Sequence, residues 1–265
     1  MPIIEIKFSQ SKIELEFPLF NVHFMSAGGQ ETKETTSDSV MSAEDKSENS
    51  QPENHTFDIH PRRPSILLES DLPEYKTYSC IKSKPSVFGG NCIHFQLSLD
   101  DQNLFHSKVK KMTQIEPIPV AHGTEVHYRG EKEYLLLTNA NHEAFSLREK
   151  TPTGTELLVI SMYQIVSVDE PKTVRVVYKN QGSEGATCLV SRKPTQNPDG
   201  TWILDFSERY TIPSKRNAIL VDEQTKEEVL VIRKVEENEI EIDAIATVPP
   251  LYVFGTALSF WLASI

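Results

Sequence analysis

The last fifteen residues, 251–265, constrain the fold more than any other part of the sequence. They carry no charge and follow directly after Pro249-Pro250. Proline is favoured in the first turn of a helix, so a helix is predicted to begin there. Fifteen helical residues are about 22 Å long, which is too short to cross a bilayer comfortably. A helix that is apolar on all sides must be buried, and a membrane tail anchor is the alternative.

The chain before this helix is dominated by short runs with β-branched or aromatic residues, separated by turn signals such as Asn197-Pro198-Asp199-Gly200. Many short strands at such spacing are typical of a β-sandwich or a barrel. In an all-β protein, the interior of a barrel is the natural place for a buried helix. The predicted strands are Tyr78–Ile81, Ile93–Leu99, Tyr134–Thr138, Leu157–Ile160, Val174–Tyr178, Thr187–Val190, Trp202–Phe206, Ala218–Val221, Val229–Val235 and Glu239–Ile245.

Three regions follow from the change in composition along the chain. Residues 1–25 alternate in two short stretches and predict two N-terminal strands. Residues 26–64 are predicted to be a disordered acidic loop or linker: between 26 and 56, seven acidic residues stand against two lysines, and there is no aromatic residue. Residues 65–265 are predicted to form the barrel, with the core helix at 251–265.

The overall charge and the cysteines exclude several classes of protein. A formal net charge of -11 argues against non-specific binding of nucleic acid. Cys80, Cys92 and Cys188 form no CxxC pair, so neither a disulfide framework nor a zinc site is expected. The start of the sequence has no secretory signal pattern, which favours a cytoplasmic protein.

Residues 203–221, which read ILDFSERYTIPSKRNAILV, resemble a segment of the tubby C-terminal domain. Tubby-like proteins carry VLDFxGRVTxASVKNFQLV there, and the two align without a gap. The resemblance is clearest over residues 197–262 and weaker from 75 onwards, and residues 1–66 have no match. The matching positions are Leu204, Asp205, Phe206, Arg209, Thr211, Ser214, Asn217, Leu220 and Val221.

This resemblance implies a fold and a function. The family's fold is a closed antiparallel twelve-strand barrel around a buried apolar C-terminal helix. Its members bind phosphoinositides, chiefly phosphatidylinositol 4,5-bisphosphate, and animal members act as membrane-tethered adaptors for protein cargo. The resemblance therefore implies a peripheral protein at the plasma membrane, with the cilium as a further location, and it implies neither an enzyme nor a cofactor.

Four basic residues are the candidate lipid site. By resemblance, the family's basic stretch falls on Lys108, Lys110 and Lys111, and the arginine that contacts the headgroup falls on Arg148. Lys108 and Lys110 would share one face of a strand. Ser146 stands where the family has lysine, and Glu149 adds a carboxylate. These departures keep open a protein–protein adaptor with a degenerate lipid site, or lysines that are merely a solvated face.

Other combinations of chemically active residues give weaker evidence for a functional site. His122 and His127 lie near Glu125 but lack a third ligand with clear spacing, so no metal site is expected. Cys92 and His94 would share one strand face without an orienting third group. Lys215-Arg216 is a second basic pair, interpreted as a solvated turn. The sequence contains neither HExxH nor GxxxxGK[ST], and no enzyme is expected.

Overall fold

A computed structural model describes residues 5–9, 12–16, 73–83, 92–123, 132–163, 171–180, 182 and 185–264. The chain divides into two compact units, Ile6–Leu72 and a larger unit that contains Pro73–Ile265. In the first part of the chain, β1 (Glu5–Ser9) and β2 (Lys12–Glu16) form a two-stranded sheet. The predicted acidic loop, 26–64, lies outside the described residues.

Twelve strands of the larger unit form one closed barrel. Each strand pairs with its neighbours in antiparallel register, and β16 closes the ring against β3. The barrel strands are β3 (Tyr75–Ser83), β4 (Ile93–Leu99), β5 (Gln102–Val109), β6 (Ile118–His122), β7 (Tyr134–Thr138), β8 (Ala144–Glu149), β9 (Glu156–Tyr163), β10 (Thr173–Lys179), β11 (Ala186–Ser191), β14 (Ala218–Asp222), β15 (Glu228–Glu236) and β16 (Glu239–Ile245).

The helix α1 (Pro250–Leu262) fills this barrel. Its residues from Tyr252 to Leu262 are all buried, and they pack with the inward side chains of the strands in one core. Gly255 lets the helix approach the wall closely, because a Cβ there would lie 2.8 Å from Leu158 Cδ2. The predicted twelve-strand barrel around a buried apolar helix is confirmed, with the helix ending at Leu262.

The helix distinguishes the two ends of the barrel. Near its start, the Tyr252 hydroxyl donates to the carbonyl of Lys179 at the end of β10, 3.4 Å away. Past its end, Lys172, just before β10, donates to the carbonyl of Ser264 at 2.8 Å. We call the end where α1 begins the lower end and the end where α1 stops the upper end. Because all neighbouring strands are antiparallel, successive connections alternate between these ends.

The connection from β11 to β14 is long and covers part of the outer wall. It contains the short paired strands β12 (Thr195–Gln196) and β13 (Trp202–Ile203), and residues 204–217 then form what we call the cover segment. Phe206 of this segment is 6% exposed and packs on the outward side chains of Ile219, Val221 and Val231. A second, small apolar cluster thus lies outside the barrel.

Several strand predictions need correction. The predicted strand Trp202–Phe206 is wrong beyond Ile203, and β13 pairs with β12 instead of joining the barrel, because Phe206 is used to anchor the cover segment. Periodicity missed β5, β6 and β8. The connection predicted from Thr113 to Glu133 contains β6, whose Pro119 lacks the backbone donor expected of a strand residue.

Candidate functional site

Lys108, Lys110 and Lys111 lie where β5 reaches the upper end of the barrel. Lys108 is half-buried on the outer face of β5, opposite His94 of β4. β5 ends at Val109, so Lys110 and Lys111 are exposed in the following turn and do not continue the strand. The predicted shared strand face of Lys108 and Lys110 therefore does not form.

Buried Gln114 organises this turn. Its side-chain oxygen accepts a hydrogen bond from the backbone N–H of Lys110 at 2.8 Å, and its backbone N–H donates to the carbonyl of Lys111 at 3.1 Å. Gln114 is 6% exposed, whereas Ile115 beside it is 45% exposed. The two lysines are thus held on a defined turn that also presents an apolar side chain to solvent.

Arg148 is in a different environment, because it is only 5% exposed. Its guanidinium donates to Glu156 Oε2 at 2.7 Å, to Ser146 Oγ at 3.0 Å and to the carbonyl of Pro152 at 3.2 Å. Ser146 also donates to Glu156, at 2.7 Å. The structure therefore gives Arg148 a buried ion pair across the β8–β9 hairpin. Glu149, the carboxylate suspected from the sequence, is exposed, and Glu156 is the partner that the sequence reasoning missed.

The sheet register nevertheless relates Lys108 to Arg148. Leu135 of β7 lies opposite both Pro119 of β6 and Arg148 of β8. Ser107 of β5 lies opposite Val120 of β6, so the next residue, Lys108, is level with Pro119. Three strand spacings of about 4.8 Å separate the backbones of Lys108 and Arg148, or roughly 14 Å. Lys108 and Arg148 thus share a row of the outer wall, whereas Lys110 and Lys111 lie in the turn above it. Of the four residues, Lys110 and Lys111 are exposed, Lys108 is half-buried and Arg148 is buried.

A histidine pair borders Lys108. His94 Nδ1 and His106 Nε2 are 3.2 Å apart, and His106 is 3% exposed. Burial lowers the pKa of His106 to about 4, with the neighbouring charges of His94 and Lys108 acting in the same direction. Burial also lowers the pKa of His94, followed by the effect of Lys108. Both rings are therefore neutral at pH 7 and share one hydrogen bond.

The described residues contain no cluster of three or more potential metal ligands. His122 lies near Glu133, with its Nε2 3.9 Å from the carboxylate, while His127 and Glu125 lie outside the described residues. Cys92 is half-buried. In the described part of the chain, no helix is long and apolar enough to span a membrane.

Lys215 and Arg216 are not equivalent, although the sequence suggested one solvated turn. Lys215 is exposed, whereas Arg216 is half-buried with its guanidinium carbon 5.5 Å from the centre of the Trp261 ring. Lys82 Nζ lies 4.6 Å from the same ring. Burial lowers the pKa of Arg216. Two cations thus stack on a tryptophan in the last turn of the core helix, an arrangement that the sequence pattern did not predict.

The cover segment is held by a network of ion pairs. Arg233 of β15 is 6% exposed and donates to the Tyr210 carbonyl at 2.7 Å and to Glu241 at 2.8 Å. Arg209 of the segment lies 3.4 Å from Asp243, which Arg233 also contacts at 3.3 Å. The cations in this region are neutralised within the protein.

Models of known protein families and curated proteins were compared with this sequence, and none of them matches it.

Proposed function

We propose that this protein is a non-enzymatic phosphoinositide-binding module that tethers to anionic membranes through Lys108, Lys110 and Lys111, with phosphatidylinositol 4,5-bisphosphate as the preferred lipid. The observation that supports the proposal is the turn after β5. Gln114 fixes two exposed lysines there, and Lys108 adjoins them on the strand. Lysine ammonium groups bind phosphate as point charges.

Arg148 has a supporting role in this proposal. Its guanidinium is already used by Glu156, Ser146 and the Pro152 carbonyl, so a phosphate would have to displace a buried carboxylate. Breaking such a pair is costly, because the remaining charge is left buried. Arg148 therefore holds the β8–β9 hairpin together, three strands from Lys108, and the lipid is bound by fewer cations than the resemblance implies.

The test is co-sedimentation of the full chain with liposomes that contain phosphatidylinositol 4,5-bisphosphate or, at matched surface charge, phosphatidylserine. Lys108→Gln/Lys110→Gln/Lys111→Gln should weaken binding about 100-fold, because each lysine near an anionic surface contributes about 1 kcal/mol. The matched control is Lys150→Gln/Lys179→Gln/Lys226→Gln, which removes the same charge from exposed lysines at the lower end.

Equal losses in both triple variants would indicate an effect of net charge alone and would contradict the proposal. So would equal binding to the two kinds of liposome.

The second candidate is a protein–protein adaptor on the same barrel. Tyr210 of the cover segment is 68% exposed, and Ile203 of β13, seven residues earlier, is 44% exposed, although both are large hydrophobic residues. Exposed aromatic residues of this kind are frequent anchors of protein interfaces. Protein cargo retained by wild type and lost by Tyr210→Ala, together with absent liposome binding, would favour the adaptor.

A further inference from the structure

The two ends of the barrel differ in charge. The described connections at the upper end, apart from residues 194–214 on the outer wall, carry seven basic and three acidic side chains: Lys110, Lys111, Lys172, Arg192, Lys193, Lys215 and Arg216 against Glu116, Glu143 and Glu237. Two of the basic side chains are ion-paired, Lys172 with Glu143 at 3.2 Å and Arg192 with Glu228 at 3.4 Å. Those described at the lower end carry three basic and five acidic side chains: Lys132, Lys150 and Lys226 against Asp100, Asp101, Glu133, Glu223 and Glu227. Among the described connections, those of the upper end are therefore the more cationic.

The cations of the upper end form two groups on opposite sides of the barrel. One group follows β5 and contains Lys110 and Lys111, with Lys108 on the strand itself. The other lies in the connection between β11 and β14 and contains the exposed Lys193 and Lys215, whereas Arg192 in the same connection is paired with Glu228. In the closed order of strands, the two connections are separated by six of the twelve strand positions in either direction. A twelve-strand barrel is roughly 24 Å across, from strands about 4.8 Å apart and tilted by about 40°.

The centre of this end also carries cations. Trp261 lies in the last turn of the core helix, and Lys82 and Arg216 both lie over its ring, at 4.6 and 5.5 Å from the ring centre. Positive charge therefore extends from one side of the upper end, past the end of the helix, to the other side.

We infer that the protein docks end-on, with the upper end of the barrel against an extended anionic lipid surface and both cationic groups in contact with it. This inference rests on the proposed function and adds a second contact to it. A single inositol ring is much smaller than this separation, so it cannot reach two groups that are roughly 24 Å apart. A bilayer that contains several acidic lipids can reach both, and each basic residue near its surface adds to binding.

Ile115 is placed to enter the lipid interface in this orientation. It is 45% exposed and lies in the same turn as Lys110 and Lys111. Apolar side chains flanked by lysine are the usual composition of surfaces that bind at the headgroup boundary.

The experiment compares two double variants of the full chain on liposomes that contain phosphatidylinositol 4,5-bisphosphate. Lys193→Gln/Lys215→Gln removes two charges from the group opposite β5, and Lys179→Gln/Lys226→Gln removes two from the lower end. End-on docking predicts about 30-fold weaker binding for the first pair and no more than about 3-fold for the second. Ile115→Trp should show a blue-shifted emission on liposomes, while Thr225→Trp at the lower end should not.

Two results separate the failure of this inference from the failure of the proposed function. If the triple variant at Lys108, Lys110 and Lys111 loses binding while Lys193→Gln/Lys215→Gln binds like wild type, end-on docking is overturned and the lipid module stands. If neither variant changes binding, the proposed function fails and the inference fails with it.

Two competitors provide a further test. End-on docking predicts that soluble inositol 1,4,5-trisphosphate displaces the protein from liposomes only at concentrations well above those of the accessible lipid. Displacement at equal concentration would indicate one headgroup site. Displacement by a short DNA duplex at equal phosphate concentration would indicate a general polyanion surface, and either result would overturn the inference.

Discussion

The outer wall of the barrel at β14–β16 and the outer wall at β5–β8 use their basic residues in opposite ways. On the first wall, Arg209 and Arg233 are enclosed by carboxylates under the cover segment. On the second, Lys108 is half-buried, and Lys110 and Lys111 beside it are exposed. Arg148 of the second wall is buried in an ion pair with Glu156.

The first wall is also where the resemblance to the tubby domain is clearest, and its matching residues have structural contacts. Phe206 packs on the outside of the barrel. Asn217 accepts from the backbone of Lys234 and donates to the carbonyl of Ile212, both at 2.8 Å. The Asp205 carboxylate accepts from the backbone of Ser207, which has a positive φ of 58°. The shared pattern thus accounts for how the cover segment is held and says little about a ligand.

The largest effect that would test this comparison is expected for Arg233→Met. The substitution leaves Glu241 and Asp243 without their buried partner, which should lower the free energy of unfolding by about 3–5 kcal/mol. Urea denaturation of the purified chain measures it. A change below about 1 kcal/mol would mean that the network on this wall is not important for stability.

Phe206→Ala should come next, with a loss of about 3 kcal/mol, because a buried phenylalanine is removed from the small outer cluster. Limited proteolysis should also become faster between Ser207 and Tyr210, since the cover segment loses its anchor. Tyr210→Ala is the matched control. Its ring is 68% exposed, and its removal should change stability by less than about 0.5 kcal/mol.

Acid should destabilise the second wall through His106. Its pKa is about 4 in the folded protein and near 6.5 when unfolded, so the unfolded state binds more protons below pH 6.5. Stability should fall as the pH drops from about 6.5 to 4, by roughly 2–3 kcal/mol in all. Urea denaturation across this range should give a flatter profile for His106→Gln. An unchanged profile would contradict the assignment.

The smallest effects should separate Arg148 from Lys108. Arg148→Ala should lower the free energy of unfolding by roughly 2 kcal/mol, between the values for buried and exposed ion pairs, because Glu156 is only partly covered. Lys108→Gln should change it by less than about 0.5 kcal/mol. Equal stability of the two variants in thermal denaturation would remove the structural role given to Arg148.

Much of the architecture could be predicted from residue patterns. The apolar helix after Pro249-Pro250 and most barrel strands follow directly from hydrophobicity and turn signals. β6 and β8 could not be found this way, because inward and outward residues are both buried on parts of this wall, which removes the alternation. The closure of the barrel and its twelve strands, in contrast, were predicted from the resemblance and not from residue patterns.

The site could be predicted only in part. The sequence predicted lysines near the end of β5 as candidate ligands, and their role stays a prediction, but the burial of Arg148 depends on a partner across a hairpin. Arg148 lies opposite Glu156 in the register of β8 and β9. Opposite charges directly across two strands attract each other, so a register for the hairpin would have revealed the pair. Periodicity alone cannot provide that register, because β9 is shifted by a bulge at this point.

The seam between β3 and β16 has a consequence for how the chain folds. Residues that pair there, such as Ile81 and Glu239, are separated by most of the barrel sequence. Such non-local pairing slows folding, because a long loop must close before its contacts form. Until the ring closes around α1, the inward faces of the strands remain open to solvent. We therefore expect slow refolding, on the scale of milliseconds to seconds, and a partly folded state that aggregates readily.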